Sequence, residues 1–358
     1  MLMIATQSAT QTRYIFYLIV AAQFCGTSVW FAGNAIIPQL QGIGQWPASA
    51  TGWVTSATQL GFIFGTLIFA LTGLADKNSP SKLFFICSIF AAGSNLLALS
   101  DLSSFPVMIV SRVLVGIFLA GIYPVGMKIA ADWQSAGLGH WLGALVGALV
   151  LGTALPHGVK GLGYLPDPGS LLIAISALCI VGGVLVLLFV PDGPFRKPST
   201  NFSFSVLRKS FADPEFRAPA LGYFGHMWEL YALWAFLPFL IRAYAIQNDN
   251  TLNTSWLAFL IIGVGGLGCY LGGRMSFRLG SDRVATLSLI ASGVCCILSP
   301  FILAAPLWLF LSILIFWGIM VAADSPQFSA LVSKTAPAEN RGSAITLVIC
   351  IGFSITIV

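Results

Sequence analysis

The chain has 358 residues, of which 57% are hydrophobic and only 8% are charged, and its mean hydropathy is +0.91. A water-soluble domain carries roughly 25% charged residues to solvate its surface, so the soluble class is excluded and the apolar surface must face lipid. The net charge of +5 comes from sparse basic residues between apolar runs, a pattern that fits membrane orientation and gives no support to nucleic-acid binding.

A membrane-spanning helix needs roughly 20 apolar residues. Residues 1–13 are mostly Ser, Thr and Gln; the apolar run behind them is too long for a signal-peptide core and reads as an uncleaved first span. In chain order, the apolar runs predict about eleven spans, near 14–40, 50–74, 82–100, 105–131, 141–157, 170–190, 217–244, 254–277, 284–304, 307–333 and 342–358. The last run stops at Val358 with no polar flank, so the chain reads as cut short. The only long polar connection, PDGPFRKPSTNFSFSVLRKSFADPEF at 191–216, separates six spans from five. The expected organisation is therefore a six-helix bundle at 1–190, a cytoplasmic linker at 191–216 and an incomplete bundle of about five helices at 217–358.

Lysine and arginine set the orientation. With the N-terminus inside, the cytoplasmic segments and span ends take Arg13, Lys77, Lys82, Lys128, Arg196, Lys197, Arg208, Lys209, Arg217, Arg274, Arg278, Arg283, Lys334 and Arg341. The outer side keeps only Lys160 and Arg242, and Arg112 falls within a span. This asymmetry predicts an inner-membrane protein with a cytoplasmic N-terminus. The seven cysteines lie in apolar segments, form no CxxC and have no His at ligand spacing, so they read as packing residues. No cofactor or metal is expected. Neither a P-loop, nor HExxH, nor GxSxG, nor a TVGYG-like filter is present, so the sequence does not read as an ATP-driven pump, an enzyme or a channel.

Two matches at almost one offset point to an internal duplication. Thr72-Gly73-Leu74-Ala75-Asp76-Lys77-Asn78-Ser79 follows the second span and Gly273-Arg274-Met275-Ser276-Phe277-Arg278-Leu279-Gly280 follows the eighth, 201 positions later. In the fourth and tenth spans, Gly116 to Pro124 and Gly318 to Pro326 share one spacing, displaced by 202. With these residues the sequence resembles the major facilitator superfamily. The family's loop motif GxxxDRxGRR is echoed by TGLADKNSPSK, which keeps Asp76 and a basic Lys77 but has Thr72 and Ser79 where glycine is preferred. The second copy keeps Gly273, Arg278, Gly280 and Arg283, with Phe277 in place of the acid, and Arg112-x-x-x-Gly116 with Pro124 resembles the family's fourth-helix motif. The resemblance covers essentially the whole chain. It implies an all-α membrane protein of two bundles related by a pseudo-two-fold axis, working by alternating access, with the twelfth helix absent. Asp76, with Lys77 and Arg278, is then the expected conformational latch; the bland alternative is a polar turn with topology-marking cations.

Ionised groups within a bilayer are costly and usually face a cavity or a partner. Arg112 lies roughly 10 Å into the fourth span and shares a helical face with Gly116 and Tyr123. It reads as an anchor for an anionic solute, or as one half of a static pair. Glu229, near the middle of the seventh span, is the leading candidate for proton coupling, with His226 three residues earlier on nearly the same face; an aromatic packing cluster holding the acid is the alternative. Asp324, in the inner half of the tenth span, and Lys128 are placed to form a gate. On a straight helix, however, Lys128 sits about 160° from Arg112 unless Pro124 bends the chain. Asn34, Gln59 and Gln327 are further lining candidates, and Gly143, Gly147 and Gly152 make the fifth span a packing face or hinge. The function expected is secondary active transport of a small solute, an organic or inorganic anion by the Arg112 argument, coupled to protons by a monomer in lipid. A multidrug-type efflux carrier and a non-transporting receptor or assembly protein on the same fold are the alternatives.

Overall fold

The helices begin where the sequence places a small polar residue beside proline. Ser79-Pro80, Asp167-Pro168 and Asp213-Pro214 each supply a side-chain acceptor to a free N–H of the first turn, while proline fills a position that needs no donor. The computed structural model describes residues 9–43, 46–134, 138–164, 167–196, 202–337 and 341–357; of the orientation markers, Lys197 lies outside them. The described residues form α1 (Ala9–Thr27), α2 (Ala32–Ile43), α3 (Ala50–Thr72), α4 (Leu74–Lys77), α5 (Pro80–Leu97), α6 (Phe105–Leu119), α7 (Tyr123–Trp133), α8 (Leu138–Gly161), α9 (Pro168–Phe189), α10 (Ser205–Ala212), α11 (Pro214–Gln247), α12 (Thr254–Leu279), α13 (Ser281–Ile302), α14 (Leu307–Ala323), α15 (Ser325–Thr335) and α16 (Arg341–Ile355). Ten stretches are long and apolar enough to cross a bilayer, and α16 is a shorter apolar helix. They coincide with the eleven predicted spans. Helix α10, inside the linker, is an element the apolar-run reading does not register.

Three spans are broken. The first splits between α1 and α2 at residues 28–31, the fourth between α6 and α7 at 120–122, and the tenth between α14 and α15 at Asp324. Pro124 and Pro326 stand in the first turns of α7 and α15. Proline can neither donate nor clear the preceding turn, so the repeated prolines break the fourth and tenth spans at equivalent places.

The duplication is visible in how helices touch. A Cβ added to Gly116 would overlap the carbonyl oxygen of Thr58, and one added to Gly318 would overlap that of Ile261. Reciprocally, Gly65 faces the carbonyl of Ile117 and Gly268 that of Ile319. Both crossings, α3 with α6 and α12 with α14, are thus backbone-to-backbone contacts at matching positions. Small residues permit that approach, and dispersion drives it where lipid offers no hydrophobic incentive. Between the halves, α8 packs on α12 and α16 on α3. An exchange of halves converts one pair into the other, as a pseudo-two-fold requires. Glycine serves this interface too: a Cβ added to Gly147 or Gly266 would stand 3.1 or 3.0 Å from the other's carbonyl oxygen, while Gly152 turns to Phe24 and Thr27 of α1. The fifth span is accordingly a packing face on both sides.

Candidate functional site

Six rings close the space between the halves at mid-height. Trp30 and Phe31, in the break of the first span, and Phe62 of α3 come from one half; Tyr231 and Trp234 of α11 and Phe353 of α16 come from the other. All six are buried. Phe62 and Phe353 have centroids 4.6 Å apart, Trp30 stacks on Phe353 at 5.8 Å, and Phe31 meets Trp234 edge-on at 6.1 Å. Such ring pairs add roughly 0.5–1.5 kcal/mol each beyond area burial, so this layer is a firm seal.

On the side of the seal away from the linker lies a cavity of about 880 Å³, within the size range of small-ligand sites. Asn34 and Pro38 of α2 and His157 and Lys160 of α8 wall it on one side; Pro238 and Arg242 of α11 and the 249–255 segment wall it on the other. Asn34 donates to Thr55 Oγ1 at 2.7 Å, and Lys160 Nζ donates to the Ala35 carbonyl at 2.7 Å. The chain returns from this face through Asn253, which caps α12 and donates at 2.8 Å to the Gly161 carbonyl that ends α8.

On the linker side of the seal, His226 Nδ1 lies 2.8 Å from Asp324 Oδ1, and both side chains are fully buried. Apart from this close ionic approach, none of their side-chain nitrogens or oxygens has a hydrogen-bond partner among the described residues. Asp324 stands at the break of the tenth span, its carbonyl accepting from the N–H groups of Gln327 and Phe328. Tyr223 and Phe328 rings flank the imidazole. Glu229 goes elsewhere: Oε2 accepts from Ser292 and Oε1 from the Trp317 indole, at 2.9 and 3.0 Å. The two residues proposed together for coupling are therefore held by different helices.

Arg112 is fully buried inside the first half. Its guanidinium donates to Asn95 Oδ1 at 2.6 Å, to Ser111 Oγ at 3.0 Å and to the Val29 carbonyl at 3.4 Å, and its stem lies against Gly33. No carboxylate meets it among the described residues. The break after α6 leaves Tyr123 half-buried at the head of α7, so the shared face expected of an unbroken helix is lost. Lys128 and Asp324 are not brought together. Lys128 instead joins Asp76 at 2.8 Å and Asp132 at 3.6 Å, within one half, and Arg196 donates to the backbone carbonyls of Asp76 and Asn78. Lys77 and Arg278 are exposed. Gln59 is fully buried with neither side-chain atom partnered among the described residues, and Gln327 is buried beside the tenth-span break.

Sequence reasoning passed over His157, Lys160 and Arg242 as cavity residues. The available signal was that Lys160 and Arg242 alone break the charge asymmetry. Asn95, which holds Arg112, gave no signal, because a lone amide in a span looks like an ordinary interhelical contact; Asp132, which pairs with Lys128, lies one residue past the predicted end of the fourth span.

The family model described as Major Facilitator Superfamily matches residues 19–358. No curated protein matches the chain. Among solved structures, a bacterial homologue of the human lysosomal transporter Spinster, inward-facing and unoccupied, is 15% identical with a TM-score of 0.72, over 98% of this chain and 81% of that one. The nucleoside transporter NupG is 17% identical with a TM-score of 0.70, over 96% and 89%. FucP, in an outward conformation, is 16% identical with a TM-score of 0.68, over 97% and 91%. At such identities the likeness is one of fold.

Proposed function

The chain belongs to the Major Facilitator Superfamily, and on that premise we propose that it is a proton-coupled carrier of a small solute, working as a monomer by alternating access. The linker faces the cytoplasm in this reading, so the cavity opens outward. The observation that carries the proposal is the cavity between the halves, together with a layer of rings drawn from both that stands between it and the linker side. Rocking the halves would part that layer and close the opposite side, which exposes one site to each face in turn.

His226 and Asp324 are the coupling pair. Sharing one proton they are neutral overall, and burial is tolerable. A second proton leaves a net positive charge and its loss a net negative one, and either costs several kcal/mol to keep out of water. Loading or unloading therefore favours the state in which the pair is hydrated. Glu229, satisfied by Ser292 and Trp317, serves better as a brace between α11, α13 and α14. Among the described residues, Phe239 is the one aromatic side chain in the cavity lining, which weakens the case for broad-specificity efflux. Arg112 is not among the cavity-lining residues and spends its donors within the first half, so the solute's charge is read from that lining instead.

Reconstituted vesicles with an imposed pH gradient test the proposal, using a solute found by thermal-shift screening. Asp324→Asn and His226→Gln should abolish gradient-driven accumulation while solute exchange across the vesicle persists, and Glu229→Gln should keep both. Accumulation by Asp324→Asn at the wild-type rate would remove the pair from coupling. A wild-type protein that moves no solute at all would remove the carrier reading.

A further inference from the structure

The two basic residues on the far side of the molecule, Lys160 and Arg242, stand on opposite lips of one cleft, the first on α8 and the second on α11. Of the titratable groups in the cavity lining, only Asp249 is acidic, and among the described residues it makes no ion pair with either cation. His157, one helical turn before Lys160, belongs to the same wall. It is 3% exposed, and its Nε2 has no hydrogen-bond partner among the described residues. A buried imidazole nitrogen without a partner forfeits hydrogen-bond energy unless something fills the space before it. Lys160 spends one of its three donors on Ala35. The lining thus offers a surplus of unspent donors and positive charge, contributed by both halves.

We infer that this cavity is a site for a small oxyanion, a carboxylate or an inorganic one, held by Lys160 and His157 from one half and Arg242 from the other. The inference deepens the carrier reading and rests on it for its conformational part. Unoccupied, two like charges oppose approach of the lips. A bridging oxyanion reverses the sign of that interaction, so occupancy favours closure of the far side and an empty site resists it. A neutral solute of equal size would bind without this effect.

The experiment uses the full chain in detergent and in vesicles. Acetate, succinate, nitrate and phosphate are compared with uridine, glucose and choline by thermal shift, which also separates the carboxylate and inorganic arms. At least one oxyanion should raise the melting temperature saturably. Lys160→Gln and Arg242→Gln should each weaken it about tenfold to a hundredfold, the usual worth of a charged hydrogen bond, and Lys160→Arg should restore it. Spin labels at Leu162→Cys and Ile246→Cys, both exposed, in a Cys296→Ser background should report a shorter distance across the cleft when that oxyanion binds. In Lys160→Gln the distance should already be short without ligand. Response to uridine or glucose alone, with uptake on a pH gradient, would overturn the oxyanion site and leave the carrier standing. Oxyanion binding that survives both Gln variants, or a cleft distance indifferent to it, would overturn the inference as well. Oxyanion binding and closure without transport would uphold the site and overturn the carrier.

Discussion

Arg112 illustrates how a buried charge is kept by neutral partners. Its donors go to an amide oxygen, a hydroxyl and a carbonyl in the break of the first span, and Asn95 is in turn fixed by donating to Ser176 and the Leu172 carbonyl. This wiring ties α6 to the break of the first span, to α5 and to α9. Removing the guanidinium orphans Asn95 Oδ1 at about 1–3 kcal/mol, while Ser111 keeps its bond to the Ser94 carbonyl and the Val29 carbonyl keeps the N–H of Ala32. Arg112→Gln is therefore expected to lower the melting temperature of the purified protein clearly while leaving solute affinity within about twofold. Loss of affinity at unchanged stability would instead place Arg112 at the solute. The pair Asp76 and Lys128 differs in being partly exposed, with side chains 24% and 21% accessible, beside the buried Asp132. Screening limits each such pair to about 0–1 kcal/mol, so Asp76→Asn should change conformational preference before it changes stability.

At the scale of elements, the decisive contacts are glycine crossings. Gly116 and Gly318 each sit against a carbonyl of the neighbouring helix, whereas Gly93 and Gly273 have nothing within 4 Å of an added Cβ. Gly116→Ala and Gly318→Ala should each destabilise by about 1–3 kcal/mol through overpacking. Gly93→Ala and Gly273→Ala should be neutral or gain about 0.5–1 kcal/mol by removing backbone entropy from a helix. Melting curves of the four variants under one detergent would check this. Equal behaviour of the two pairs would mean that the crossings are looser than drawn.

For the whole molecule, the aromatic layer stands between the cavity and the linker side. The rings of Phe62 and Phe353 are the closest pair across it. Phe62→Leu keeps an apolar side chain but opens a gap between the halves, at a stability cost modest beside the 3–5 kcal/mol of truncation to Ala. The expected result is faster collapse of an imposed pH gradient in vesicles without solute, read with a trapped pH dye, and weaker accumulation. A gradient that holds as well as with the wild type would show that the seal lies elsewhere. The halves are also unequally clothed. In the first, α9 covers both α1 and α5; in the second, α13 leaves Leu287, Ile290, Ile297 and Phe301 outward, to be solvated by lipid.

The sequence alone determined the number and limits of the spans, the duplication and the prolines at which two of them turn out to break. Each rests on local chemistry: twenty apolar residues cross a bilayer whatever surrounds them, and proline ends a helix by its own geometry. It also singled out His226, Glu229 and Asp324, since any ionisable group in an apolar run is conspicuous. Only the tertiary structure decided which of them meet. Lys128 chose Asp76 over Asp324, His226 chose Asp324 over Glu229, Arg112 turned inward, and Lys160 and Arg242 came to share a cleft. The reason is that a helix apolar on every side gives no periodic signal of which face meets lipid and which meets protein. Partners across helices are then set by packing between residues distant in the chain, and that information is held by the assembled bundle.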